Sequence, residues 1–304
     1  MTSARAERDI RGQVVLRMCG GTINDVVLEA AARIASAFKG EIHGVFEEDR
    51  DLLALAQLPD AREVFRSGRT RTLSIDLVRN EMRLASLMMS RRIELVARSH
   101  EVPVLFRSPE AAGETREEAE ESGILALAEP LTLMASANLL AAFAKAEHMA
   151  GLLVAGRNAR YALGKLLLVL DRESDGQEIM DTAHRLSGTA GEITLLLTGF
   201  DEFGFAEMKH RLETLTMLKN GRILRGHDLS PQTLAALASR TKAGMVVARI
   251  GGPIATDAKD TARYAERLPC PLLLLRREQI LTLTSAERDS APIDQHQRPP
   301  SQQP

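Results

Sequence analysis

A chain of 304 residues is long enough for two domains of ordinary size, each able to bury its own core. It is 44% hydrophobic and 26% charged with a formal net charge of −2, which excludes a whole-protein pull toward nucleic acid or an anionic membrane. Aromatics make up 3% with no tryptophan, so the core is aliphatic and base-stacking platforms are largely absent.

The opening stretch MTSARAERDIRGQ is polar and lacks the apolar segment of a signal peptide, and no window approaches 18 uninterrupted apolar residues. The expectation is a cytoplasmic protein with no membrane span and no nucleic-acid partner. Cys19 and Cys270 are then expected as free thiols in a reducing compartment.

Short apolar runs alternate with amphipathic stretches, the pattern of a parallel sheet covered on both faces. Val14–Met18 (VVLRM) is the first predicted strand. Gly20-Gly21-Thr22 then opens a helix on which Val26, Val27, Ala30, Ile34 and Phe38 recur at helical spacing, stopped by Gly40. Strand two is Glu41–Phe46. After a longer connection comes a long helix over 72–99, then a strand at Pro103–Arg107 and a Glu-rich helix over 109–122. Ile124–Ala128, a helix over 131–147 and Leu152–Gly156 complete the first half.

The second half repeats the order. Strands are predicted at Lys165–Asp171, Glu192–Leu197, RILRG, MVVARI and PLLLLR, and helices over 177–186, 203–218, 230–241 and 255–267. GEIHGVF at Gly40 answers GEITLLL at Gly191, each after a first helix. The fold class is therefore α/β: two tandem doubly wound parallel-sheet domains. The predicted boundaries are an N-terminal tail over 1–11, domains over 12–160 and 161–277, and a Pro- and Gln-rich disordered tail over 278–304.

The stretch AGMVVARIGGPIATDAKDTARYAERLPCPLLLLRRE, with its small loop, helix, Pro269-Cys270-Pro271 and aliphatic strand, resembles the universal stress protein family. The resemblance spans roughly residues 12 to 277 as a tandem pair and implies a HUP-type fold with the halves packed as a pseudo-dimer through their fifth strands. Nucleotide-binding members carry Gly-x2-Gly-x9-Gly-Ser/Thr after the fourth strand, glycines that let backbone N–H groups meet phosphates. Here Gly251-Gly252 begins the second-half loop, but no glycine follows it. The first half has none between Gly123 and Gly151, and its fourth strand runs into Glu129. The family's nucleoside-contacting Asp corresponds to Cys19 in the first half and Asp171 in the second. The resemblance thus implies a stress-response protein that has lost ordinary ATP binding and works as a non-catalytic regulator or adaptor with a protein partner. The alternative is ATP or AMP with Mg held atypically at Asp171, Gly251 and Gly252.

Other signals carry two readings each. Gly20-Gly21-Thr22 is a tight turn with Thr22 as N-cap, or an anion cradle. Asp171, Glu173 and Asp175 are dipole-favoured residues, or ligands for a hard cation. Cys19 is a small buried hydrophobe, or a thiol activated by a following helix, whereas Cys270 is structural. The seven histidines show no ligand spacing and no nucleophile-elbow motif occurs, so no catalytic residue is named. Nine arginines between Arg62 and Arg98, with no lysine, form either a solvated face balanced by the Glu110–Glu121 segment or a docking surface centred on Arg91 and Arg92.

Overall fold

A computed structural model describes residues 13–19, 23–107, 123–128, 136–146, 149–171, 176–187, 192–214, 221–227 and 229–276. In the first half, strand β1 (Val14–Cys19) is followed by α1 (Asp25–Ala37), β2 (Ile42–Glu47), α2 (Arg50–Ala56), β3 (Arg62–Val64), β4 (Thr70–Thr72), α3 (Ile75–Ser99), β5 (Val104–Arg107), β6 (Ile124–Leu127), α4 (Ser136–Ala146) and β7 (Gly151–Val154). The second half holds β8 (Lys165–Leu170), α5 (Gly176–Ser187), β9 (Ile193–Thr198), α6 (Glu202–Thr214), β10 (Arg222–Gly226), α7 (Pro231–Thr241), β11 (Ala243–Arg249), α8 (Ala258–Arg267) and β12 (Leu272–Leu275).

Because successive side chains of a strand point to opposite faces, a run such as Leu166–Leu170 stays dry only if both faces are covered. They are. Leu166, Leu168 and Leu170 enter one core layer, closed by α1, α3 and α5, while Leu167 and Val169 enter the other, closed by α4, α7 and α8. Helices supply matching stripes: Val27, Ala30, Ala31 and Ile34 of α1 are all fully buried.

Ten strands make one sheet in the order β10-β9-β8-β11-β12-β7-β6-β1-β2-β5. Each half thus places its own strands in the order third, second, first, fourth, fifth, the doubly wound arrangement expected. In this ten-stranded sheet the pairings within each half are parallel, and the antiparallel pairing joins β12 to β7, with Leu272 opposite Val154, Leu273 opposite Leu153 and Leu274 opposite Leu152. The fifth strands therefore close each other's apolar edge within one chain. Arg33 of α1 ties the halves again: its guanidinium donates to the carbonyls of Leu186 (3.1 Å), Ala162 (3.0 Å) and Gly164 (3.1 Å). The connection over 155–164 runs tightly under α8, and a Cβ on Gly156 would lie 2.2 Å from the Ala265 carbonyl oxygen.

Several expectations are corrected. Asn24, not Thr22, caps α1: its side chain accepts from the Val26 N–H, and the helix begins at Asp25. The long connection after β2 holds α2 and a β3–β4 hairpin. Helix α8 starts at Ala258, three residues later than predicted, because Asp257 caps it. The Glu-rich helix over 109–122, the tails over 1–11 and 278–304, and Gly20 to Thr22 themselves lie outside the described residues. Among the described residues no helix is long and apolar enough to cross a membrane.

Candidate functional site

Open α/β sheets place ligands at the carboxyl ends of strands where the strand order reverses. In the second half that point lies between β8 and β11. The chain leaves β8 at Asp171 and leaves β11 at Arg249, and the loop Ile250 to Asp257 crosses above them. Three predicted residues do meet here. Gly252 sits so close that a Cβ on it would lie 3.3 Å from an Asp171 carboxylate oxygen and 3.0 Å from the Arg249 carbonyl. Gly251 takes φ +76°, a left-handed conformation that suits glycine.

The geometry is not that of an open nucleoside pocket. Arg249 Nη2 donates to Asp171 Oδ2 at 2.8 Å, and each side chain is only 15% exposed. The carboxylate positioned to face a ligand instead faces a guanidinium of its own domain. Beneath the pair a void of about 10 Å³, bounded by Val169, Thr182, Val247 and Leu275, leaves room for about one water. The Thr182 hydroxyl, buried without a hydrogen-bond partner among the described residues, is the group such a water would serve.

A phosphate needs free N–H groups and a positive helix end. The two glycines of this loop do not offer theirs. The Gly251 N–H donates to the Ala255 carbonyl, Gly252 N–H to Arg249, and Ala255 N–H to Gly252, at 2.9–3.1 Å. Ile250 N–H is bound to Leu275 of the neighbouring strand. At the start of α8 the Asp257 side chain accepts from the Asp260 N–H at 2.7 Å, and the Asp260 carboxylate accepts from Thr256. Two carboxylates therefore complement the helix dipole at the start of α8 and disfavour an anion there.

At the first-half switch point, between β1 and β6, the Asn24 N–H donates to the Ala128 carbonyl at 2.8 Å, which clamps the start of α1 onto the end of β6. Arg17 of β1 pairs with Glu47 at the end of β2. Cys19 ends β1, and its side chain, like Glu129, lies outside the described residues. Cys270 is fully buried behind β12, and burial pushes its thiol up to about 12. A thiol so protonated is no nucleophile near neutrality. Of the three acidic residues considered for a cation, Asp171 faces Arg249, while Glu173 and Asp175 lie outside the described residues.

The arginine-rich segment resolves into separate roles. Arg71 of β4 bridges Glu63 and Glu81 and lies 5.2 Å from the Phe65 ring centroid, pinning the hairpin to α3. Arg92 pairs with Asp25 at the start of α1, an exposed contact between neighbouring helices. Arg91 is exposed, with no ion pair among the described residues. A second cavity, about 420 Å³ between α7 and edge strand β10, is lined by Leu196, Leu224, Leu234 and Leu237 with His227 and Arg240. No motif pointed to it, and its leucine walls offer no reactive group.

The site residues that sequence reasoning missed are Arg249, Asp257 and Asp260. For the two aspartates a signal existed: an acidic residue, two spacers and a second acidic residue directly before a helical run reads as an N-terminal cap. For Arg249 the only trace was a charge at the end of an otherwise apolar strand.

No family model matches this chain, and no curated protein matches it. Among solved structures it resembles a universal stress protein from Archaeoglobus fulgidus DSM 4304, at TM-score 0.55 and 13% identity over 88% of this chain and 97% of that one. A putative universal stress protein from Pseudomonas aeruginosa UCBPP-PA14 follows at TM-score 0.49 and 15% identity, covering 90% and 96%. A protein of unknown function from Pseudomonas aeruginosa PAO1 has TM-score 0.48 and 14% identity, covering 92% and 98%. The first likeness shows that the fold is that of a universal stress protein along nearly the whole length of both chains.

Proposed function

We propose that this chain is a non-catalytic regulatory or adaptor protein of the universal stress type that has given up ordinary ATP binding and works in the cytoplasm through protein contact. One observation supports the reading: at the second-half switch point Asp171 is paired with Arg249, and the carboxylates of Asp257 and Asp260 stand at the start of α8. A ligand would have to break a largely buried ion pair and displace two acids at the start of a helix, with neither Gly251 nor Gly252 N–H free to bind in return.

Mg·ATP at millimolar concentration should leave the melting temperature unchanged. A ligand at 100 times its Kd adds about 2.7 kcal/mol, several degrees in a domain of this size. A saturable rise with a micromolar Kd would refute the reading and favour atypical binding of ATP or AMP with Mg around Asp171, Gly251 and Gly252.

A further inference from the structure

Helix α3 has two faces that want to be covered, and the fold covers one. Val78, Met82, Met89, Ile93 and Ala97 are buried against the sheet. On the outer side Leu84, Met88 and Leu95 are 61%, 73% and 72% exposed. Single exposed leucines are unremarkable, but these three fall on one line with Glu81, Arg91 and Arg98, at alternating spacings of three and four residues. That spacing is the seam of a two-stranded coiled coil, here on a helix already rigidly held by its other face.

We propose that this seam is a docking surface for a second copy of the same chain, the two α3 helices packing antiparallel about a two-fold axis between Met89 and Ser90. In that register Leu84 of one copy meets Leu95 of the other, Met88 lies against the aliphatic stem of Arg91, and Glu81 meets Arg98 at both ends of the contact. A second copy fits because the pattern is complementary to its own reverse, as an isologous contact requires. A parallel pairing would instead set Arg91 on Arg91, Arg98 on Arg98 and Glu81 on Glu81, three like-charge layers. Apolar layers supply the affinity, and the charged ends select the orientation. Glu81 remains available: although Arg71 bonds to it, its side chain is 49% exposed. Arg91 and Arg98 have no ion pair among the described residues.

The seam from Glu81 to Arg98 is about 26 Å long at 1.5 Å per residue, so the contact is small and the expected dimer is weak. It does not depend on whether a nucleotide binds.

The test combines association with register. The full chain should show a reversible monomer–dimer equilibrium by sedimentation below about 100 µM, the range a small interface reaches. Met88→Lys should weaken it at least about tenfold while leaving the melting temperature unchanged, since Met88 is exposed in the monomer. In a Cys19→Ser background, L84C mixed with L95C should form a disulfide-linked dimer on mild oxidation. Neither variant alone should, because in this register the two identical positions lie about 16 Å apart along the helices, beyond disulfide reach. A chain that stays monomeric at about 100 µM, whether or not it binds anionic vesicles, overturns the proposal. So does cross-linking of L84C to itself, or a dimer that Met88→Lys leaves intact.

Discussion

Replacing Arg33 by methionine keeps most of the side chain's aliphatic stem and removes five donors, so it isolates what the guanidinium contributes. Three carbonyls lose their partner. That of Leu186 lies in the last turn of α5, where helix carbonyls lack an intrahelical donor and a cation is favoured by the dipole. Those of Ala162 and Gly164 belong to the connection between the halves. Burial lowers the Arg33 pKa, a sign that the charge is held away from water and that its hydrogen bonds have to compensate. A hydrogen bond to a charged group contributes about 1.5–3 kcal/mol, and only the two part-buried bonds count in full, so Arg33→Met should cost about 3 kcal/mol. For a chain of this size that is about 6 °C in melting temperature. Arg33→Lys, which can reach one carbonyl at a time, should recover about a third of the loss. Calorimetry checks both, and limited proteolysis across 155–164 should quicken in Arg33→Met. A methionine variant melting within about 1 °C of wild type would show that the three contacts contribute nothing to holding the halves together.

Arg249→Leu takes the guanidinium away from the largely buried Asp171 carboxylate and should cost about 3 kcal/mol in chemical denaturation, whereas Asp171→Asn with Arg249→Leu should recover part of it; equal losses in single and double variants would refute the pairing. Cys270 should resist iodoacetamide at pH 8 in the folded chain, and prompt alkylation would contradict its burial. Its folded-state pKa of about 12 lies above the ordinary 9.0, so this thiol's stabilising effect is whole below pH 9 and is lost as pH rises toward 12; Cys270→Ala should show a shallower alkaline decline than wild type. The separately expressed halves 1–160 and 161–284 each expose one leucine-rich edge of the β7–β12 joint and should self-associate in sedimentation; two well-behaved monomers would contradict the joint's importance.

The sheet was legible because a strand covered on both faces has no room for alternation. Leu166–Leu170, Leu272–Leu275 and Ile124–Leu127 are uninterrupted aliphatic runs. The pairing of the fifth strands was implied by the family resemblance and agrees with the need to close two such edges. The β3–β4 hairpin escaped notice for the opposite reason: its three-residue strands carry Arg62, Glu63 and Arg71, and it is held by ion pairs and a ring contact, not by an apolar pattern. At α1 the turn residues Thr22 and Asn24 are both competent caps, and only the backbone decides between them. Asp171, Gly251 and Gly252 came from the resemblance to the universal stress protein family, and the pairing of the first and fourth strands brings them together. That Asp171 meets Arg249 could not be read, since their contact joins residues 78 apart through a pairing of first and fourth strands.

The connection over 155–164 has a further consequence. Ten residues reach about 33 Å, while β7 and β8 stand three strand spacings, about 14 Å, apart. The tether therefore presents β12 to β7 at an effective concentration of order millimolar, whatever the concentration of the protein. In a dimer of separate identical chains each substitution at such a joint would appear twice, once on each side of the axis. Covalent linkage removes that constraint. Each half is free to change alone, which is how one could acquire α2, the β3–β4 hairpin and an exposed seam on α3 while the other filled its switch point with an ion pair.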